Sequence, residues 1–302
     1  MSLLIVGTVA FDAVETPHGK VERMLGGAAT YAAVAASYFA PVRLVAVVGE
    51  DFTHREHAIF RGRPIDTRGL ERVPGRSFFW SGRYAENMND RTTLETQLNV
   101  LAGFDPKLPE PYRDSRFIFL ANVQPSLQLR VLQQLRASPR LVALDTMNYW
   151  IEGALSDLRV VLRRVHVLLI NDSEARQLSG HHNLIEAAAR IQKMGPKAVV
   201  IKRGEHGATL VSGRDVFAVP AMPLRLVRDP TGAGDSFAGG FMGSLTASAS
   251  LGHASLRRAM IYGSVMGSFA VEHFGLSRLR RLSRMQIQAR ARQFRRLTHF
   301  EL

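Results

Sequence analysis

The sequence predicts an α/β fold: a doubly wound, mostly parallel sheet with helices on both faces, to which a small antiparallel β sheet is added. Three features predict it. Several short runs are apolar at every position, helical patterns lie between them, and two further stretches switch to alternating apolar and polar residues. A strand that is apolar on both faces belongs to a parallel sheet covered on both sides. Strands spaced by helices are the sequence image of βαβ units.

The elements follow in order. Leu3-Leu4-Ile5-Val6-Gly7 is a buried strand ended by glycine, and Ala28–Phe39 is a helix of small apolar residues. Leu44–Gly49, Phe117–Leu120, Leu141–Asp145, Val167–Asn171 and Ala198–Lys202 repeat the strand pattern. Leu127–Arg136, Glu152–Arg164, Ser173–Ser179 and Leu184–Met194 supply the helices among them. Residues 10–25 and 75–101 break the rhythm; Phe78–Tyr84 and Thr92–Val100 alternate most clearly. Alternation suits an antiparallel sheet with one open face, hence a lid or a pairing surface. Tyr84, Asn87 and Gln97 are its candidates for substrate contact. No repeat, low-complexity tract or linker interrupts the chain, so residues 1–302 are expected to form one domain with the lid as an outgrowth.

Composition removes several chemistries. The 302 residues include no cysteine, which excludes disulfides, thiolate metal sites and thiol nucleophiles. The formal charge is +13, and eight arginines against one acid place +7 of it between Leu276 and Leu302. A second basic cluster comprises Arg55, Arg61, Arg63, Arg68, Arg72 and Arg76. The plain reading of the C-terminal cluster is a solvated helix, with nucleic acid an unexpected partner. The first residues carry no basic segment ahead of the apolar run, and Ala28–Ala40 is shorter than the roughly 20 residues a membrane helix needs. A cytoplasmic protein is expected.

The chemistry lies in Asp229-Pro-Thr-Gly-Ala-Gly-Asp-Ser-Phe-Ala-Gly-Gly-Phe241. Small residues at Gly232, Ala233 and Gly234 let backbone approach a ligand, and the apolar stretch from Asp235 to about Thr246 reads as a buried helix. A glycine turn opening a helix presents N–H groups at the positive end of the helix dipole, which is an anion hole. A carboxylate beside it, Asp235, repels the phosphate it faces. It makes sense as the base that takes a proton from a hydroxyl attacking phosphorus. Taken alone, Gly-Ala-Gly-Asp would also serve as an ordinary helix cap.

This string resembles the C-terminal signature of the PfkB/ribokinase family of carbohydrate and nucleoside kinases. Gly26-Gly27-Ala28-Ala29-Thr30-Tyr31 resembles the family's Gly-Gly motif, Asn171-Asp172-Ser173-Glu174 its Asn-x-x-Glu motif, and Lys202-Arg203-Gly204-Glu205-His206-Gly207 its glycine turn near the nucleotide. The four fall in the family's order, and the resemblance runs from about residue 3 to about residue 290. It implies a ribokinase-like fold and an ATP-dependent phosphotransferase using Mg²⁺. In that reading Asp235 is the catalytic base, and Gly232, Ala233 and Gly234 hold charge on the transferred group. Asn171 and Glu174 act on Mg²⁺ through water. Asp12, Gly26, Gly27 and Tyr31 face the acceptor, while Lys202, Gly204 and Gly207 flank the nucleotide together with Asn171, Gly232 and Gly234. Asp229 and Thr231 match positions that hold a monovalent cation, K⁺, in many members. Members often pair as homodimers through the lid.

Two departures bear on the acceptor. Many sugar kinases of the family carry a polar residue just after Gly-Gly and an asparagine three positions on, where this chain has Ala28 and Tyr31. The form resembles nucleoside and inositol kinases, so a ribonucleoside or cyclitol is expected ahead of a free sugar or sugar phosphate. His273 and Phe274 are bulky near the adenine and cation positions, which weakens the case for K⁺. An idle PfkB-like binding protein would have no reason to keep Asp235. No G-x-x-x-x-G-K-[ST], G-x-G-x-x-G, H-E-x-x-H or G-x-S-x-G string competes with this reading.

Overall fold

The all-apolar runs become the centre of a nine-stranded sheet. The computed structural model describes residues 1–299 and 301. In chain order the strands and helices are β1 (Leu3–Val6), β2 (Ala10–Thr16), β3 (Gly19–Gly26), α1 (Ala28–Ala36), β4 (Val42–Val48) and α2 (His54–His57). Then come β5 (Ile65–Arg72), β6 (Phe78–Tyr84), β7 (Arg91–Gln97), β8 (Phe117–Leu120), α3 (Pro125–Gln133) and β9 (Leu141–Asp145). α4 (Asn148–Gly153), α5 (Leu155–Leu162), β10 (Val167–Asn171), α6 (Asp172–Ser179), α7 (Leu184–Gln192) and β11 (Ala198–Lys202) follow. The chain ends with β12 (Ala208–Ser212), β13 (Asp215–Val219), α8 (Ala233–Thr246), α9 (His253–Ala270) and α10 (Arg284–Thr298).

The large sheet has the order β13-β12-β11-β10-β9-β8-β1-β4-β5. It is parallel from β11 through β5, and β12 and β13 add an antiparallel edge. Each central strand feeds two cores. In β1, Leu3 and Ile5 pack with α1, α8 and α9, whereas Leu4 and Val6 pack against the layer holding α3, α5 and α7. All four are fully buried. That double burial is why the run carries no polar position.

A second sheet, order β3-β2-β6-β7, stands apart from the first. β2 pairs with β6 in parallel, and its other pairs, β2–β3 and β6–β7, are antiparallel. β7 is exposed along nearly its whole length, on both faces, where the alternating pattern had implied one covered face.

Helix α1 ends at Ala36 instead of Phe39, α3 starts and ends two to three residues early, and two further departures matter more. The single helix expected over Glu152–Arg164 is broken into α4 and α5, because Ala154 adopts φ −143° and ψ 35° between them. The C-terminal helix is not simply solvated. Ile287 and Phe294 of α10 are buried, and Arg290 lies 3.6 Å above the Phe269 ring and 2.7 Å from Glu272. Part of the basic charge is therefore structural glue. No helix among the described residues is long and apolar enough to cross a membrane.

Two helices set the stage for chemistry. All nine residues of α1 are buried, and its first N–H groups are held by Thr8, whose Oγ1 accepts from Ala28 at 3.0 Å and whose carbonyl accepts from Ala29 at 3.0 Å. α8 lies directly on α1. A Cβ on Gly239 would come within 2.3 Å of the Ala32 carbonyl oxygen, so the two backbones touch only because that residue is glycine. This contact fixes where the first turn of α8 sits relative to α1 and the sheet.

Candidate active site

Three neighbouring parallel strands end side by side in polar residues: β9 in Asp145, β10 in Asn171 and β11 in Lys202. The carboxyl ends of parallel strands are where open α/β sheets bind ligands. Lys202 Nζ lies 3.3 Å from both oxygens of Asp145. Burial raises the Asp145 carboxyl, and Lys202 opposes that shift. Burial works to lower the Lys202 ammonium, but the nearby Asp145, Glu174 and Asp235 outweigh it and the net shift is upward. Lys202 therefore carries its charge at neutral pH.

Asn171 and Glu174 form a capping box at the start of α6. Asn171 Oδ1 accepts from the Glu174 N–H at 2.7 Å, and Glu174 Oε2 accepts from the Asn171 N–H at 3.0 Å. Burial pushes the Glu174 carboxyl up to about 7, against the pull of Lys202. Among the described residues no three His, Cys, Asp or Glu side chains form a metal cage. With Asn171 Oδ1 and Glu174 Oε2 already accepting hydrogen bonds, the donor set suits a hydrated divalent ion held through water, the usual habit of Mg²⁺.

Opposite these strand ends stands the first turn of α8. Gly232 caps it with φ +73°, a left-handed conformation that glycine adopts without strain. The Ser236 N–H returns to the Gly232 carbonyl at 2.8 Å, and the earlier N–H groups of the turn have no intrahelical acceptor. Gly234 adjoins Lys202 Nζ, 3.1 Å from where a Cβ would stand. The Asp235 carboxyl is in this turn; burial and the Asp145 charge push it up to about 6, while Lys202 and Arg91 pull it down.

On the far side of the turn are α1 and the second sheet. The Tyr31 ring lies flat against Gly232, where an added Cβ would meet three ring atoms at 2.5 Å. Its hydroxyl is buried and has no partner among the described residues, and burial together with Asp12, Asp229 and Asp235 keeps the phenol protonated. Asp12 projects from β2 into the space left by the absent side chain of Gly26, whose Cβ would overlap Asp12 Oδ2. Burial pushes the Asp12 carboxyl up to about 7; the Gly27 N–H donates to it and works against the shift. Asp229 and Asp235 both act on Asp12, and all three acids act on the one unpaired phenol.

Asp229 is fully buried and braces the turn. Its Oδ1 accepts from the Thr231 N–H at 2.9 Å and its Oδ2 from the Gly275 N–H at 3.0 Å. The Thr231 hydroxyl donates to the Tyr84 hydroxyl at 3.3 Å, tying the second sheet to the turn. The loop after β6 reaches further: Asn89 Nδ2 donates to Glu205 Oε1 at 3.2 Å, beside Gly204. Between this loop, Lys202 and the α8 turn opens a cleft of about 470 Å³, walled by apolar groups such as Met222, Leu224, Phe237 and Val271. Asn87, Gly204, Gly207 and Gly234 line it as well. Its size and walls suit a planar base with a phosphate chain running toward Lys202 and the α8 turn.

The sequence candidates thus gather about the α8 turn, with one exception. Gln97 lies away from the cleft, its amide donating to Glu95 Oε1 at 2.6 Å. Two residues escaped the sequence reading. Asp145 was legible only as the last residue of an apolar strand. Arg91, exposed at the start of β7 with its guanidinium 5.2 Å from the centre of the Trp80 ring, is a minor influence drawing down Asp12, Asp235 and Glu174.

Comparison with known proteins agrees with the fold. Residues 2–280 match the pfkB family carbohydrate kinase description. The cytidine kinase of Thermococcus kodakarensis is 32% identical over 248 residues, covering 80% of this chain and 87% of that one. The inositol 3-kinase of Arabidopsis thaliana is 29% identical over 289 residues, covering 90% and 74%. Burkholderia thailandensis nucleoside kinase in complex with inosine superposes with a TM-score of 0.77 at 20% identity, covering 96% and 97%. The chain belongs to the pfkB family of carbohydrate kinases and is an ATP-dependent sugar or nucleoside kinase.

Proposed function

We propose that the chain transfers the γ-phosphoryl group of ATP to a hydroxyl of a ribonucleoside or a cyclitol, with Asp235 as the base. One observation carries this reading. A half-buried carboxyl pushed up to about 6 sits in a helix's first turn, next to the Ala233 and Gly234 wall of the nucleotide-sized cleft and close enough to Asp12 and Tyr31 to act on both. A base with that affinity is ionised at neutral pH yet strong enough to accept a hydroxyl proton as the O–P bond forms. The acceptor oxygen attacks phosphorus, the bond between the γ-phosphorus and its bridging oxygen breaks, the proton passes to Asp235 and ADP leaves. The Gly232 and Gly234 N–H groups and Lys202 face the charge on the transferred group, while the Ala233 N–H is held by the Pro230 carbonyl at 3.1 Å. Mg²⁺, when bound, neutralises phosphate charge, and Asn171 and Glu174 would hold it through water. K⁺ at Asp229 and Thr231 would act on the shape of the turn, not on the reacting atoms.

The acceptor class rests on Asp12, Gly26, Gly27 and Tyr31. Asp12 accepts from substrate hydroxyls, and the Tyr31 phenol, without a partner of its own, donates to one more. Ala28 and the Tyr31 ring make this wall less polar than one built for a free sugar, and the cytidine and inositol kinase relatives support the same choice. The second sheet acts as the lid that keeps water from the phosphoryl group. Incubation with ATP·Mg²⁺ and a panel of nucleosides, cyclitols, sugars and sugar phosphates tests the reading, with the phosphorylated product identified by ³¹P NMR. A nucleoside or cyclitol phosphate is expected. Turnover confined to free sugars refutes the acceptor assignment.

A further inference from the structure

Arg280 of the C-terminal cluster meets Arg55, Arg61 and Arg63 of the other cluster at a feature that phosphoryl transfer does not use. A second cleft, about 720 Å³, opens between β3, the segment around α2 and the turn at residues 274–280. Arg23, Arg55, Arg61, Arg63 and Arg280 line it, against one acid, Glu56. Phe274 adds a half-buried aromatic ring to its lining, whereas Phe11 is buried beneath Arg23.

The five guanidiniums are not equivalent. Arg63 is spent, donating to the Arg280 carbonyl at 2.6 Å and to the Tyr38 hydroxyl at 3.1 Å. Arg23 is paired with Asp51 at 2.9 Å and stacked 3.8 Å above Phe11. Glu56 is occupied by its own helix cap, accepting from the Thr53 N–H at 2.8 Å and the Thr53 hydroxyl at 2.6 Å. Arg55, Arg61 and Arg280 are exposed, and their side chains make no hydrogen bond or ion pair among the described residues. Glu56 offsets part of the Arg55 charge, but the cations gathered here from two parts of the chain outnumber it and repel one another, and an anion between them relieves that repulsion.

We propose that this cleft binds a small, multiply charged phosphorylated anion. Guanidiniums match phosphate oxygens in fork geometry, and the Phe274 ring beside them offers an apolar edge to the rest of a phosphorylated metabolite. The cleft is of small-molecule size and bounded on three sides, whereas a nucleic acid strand calls for an extended basic groove with successive stacking platforms.

The test is calorimetric titration of the full chain with inorganic pyrophosphate at 50 mM salt, with Mg²⁺ and a non-hydrolysable ATP analogue filling the other cleft. The wild type is expected to bind at one site. Arg55→Gln/Arg61→Gln, and separately Arg280→Gln, should weaken binding by about tenfold or more, the size of one lost charge-assisted contact. Melting temperature and basal ADP release should stay unchanged, since none of the three residues touches the catalytic cluster. Absence of binding to the wild type, or equal binding to wild type and both variants, overturns the proposal. So does arginine-dependent binding of a single-stranded oligonucleotide without any binding of pyrophosphate. The comparison of wild type with variants stands whether or not the kinase reading does.

Discussion

Asp12→Asn should stabilise the fold while damaging the reaction, and the pH dependence of the gain is diagnostic. Burial carries the Asp12 carboxyl from its ordinary 3.8 to about 7. That shift of about three pK units corresponds to about 4 kcal/mol of penalty for the ionised form in the folded state. Below pH 3.8 the group is neutral in both states and contributes nothing. Between 3.8 and about 7 the folded chain holds a proton that the unfolded chain has lost, so wild-type stability falls as pH rises. Above pH 7 the penalty is constant. Asparagine is neutral throughout and its Oδ1 can still accept from the Gly27 N–H. The variant should therefore be more stable than wild type by under about 2 kcal/mol at pH 5 and by about 4 kcal/mol at pH 8. For 302 residues this is a rise in Tm of about 6 °C at the higher pH. Urea unfolding at the two pH values, with kcat/KM measured alongside, checks both halves. A gain independent of pH, or a loss of stability at pH 8, would refute the claim that Asp12 is a buried charge held in place for function.

Other consequences are as direct. With Asp235 at about 6 and Asp12 at about 7, kcat/KM should fall as pH drops through this range, with a slope approaching two below pH 6; a profile flat from pH 5 to 8 would contradict the assigned roles. Arg91→Met removes a charge that draws down Asp12, Asp235 and Glu174, so the acid limb of that profile should move to higher pH; an unmoved limb would take Arg91 away from the cluster. Gly232→Ala puts a Cβ at φ +73° and against the Tyr31 ring, and should cost on the order of 2–4 kcal/mol, read as a fall in Tm of about 3–6 °C together with loss of turnover.

How far the sequence could be read depended on whether a feature is local. The central strands were legible because β1, β8, β9, β10 and β11 are buried on both faces, and no other environment tolerates such runs. The β12–β13 edge was not read as strand, although Gly213, at φ +60°, marks its turn. α9 was missed because small residues packed on α8 blur its periodicity. The break at Ala154 did carry a signal that the sequence reading passed over, the Gly153 that ends α4. In the site, the α8 turn was legible because glycine turn, helix start and Asp235 are contiguous. Asp145 was not, since only the register of β9 against β10 and β11 brings it to Lys202. Arg91 was not, because its place depends on the second sheet folding back over the first. Arg290 misled in the other direction: its charge suggested solvent, but its partners are the Phe269 face and Glu272.

The central claim is that Asp235 takes the acceptor's proton. It is tested most directly by comparing wild type and Asp235→Asn in ADP release, at saturating ATP·Mg²⁺ and with the best acceptor from the panel. The account predicts a fall in kcat of about 10²–10⁴, the range general-base catalysis supplies, with the affinity for ATP retained because Lys202 and the Gly232–Gly234 turn are untouched. Turnover within a few-fold of wild type would contradict it.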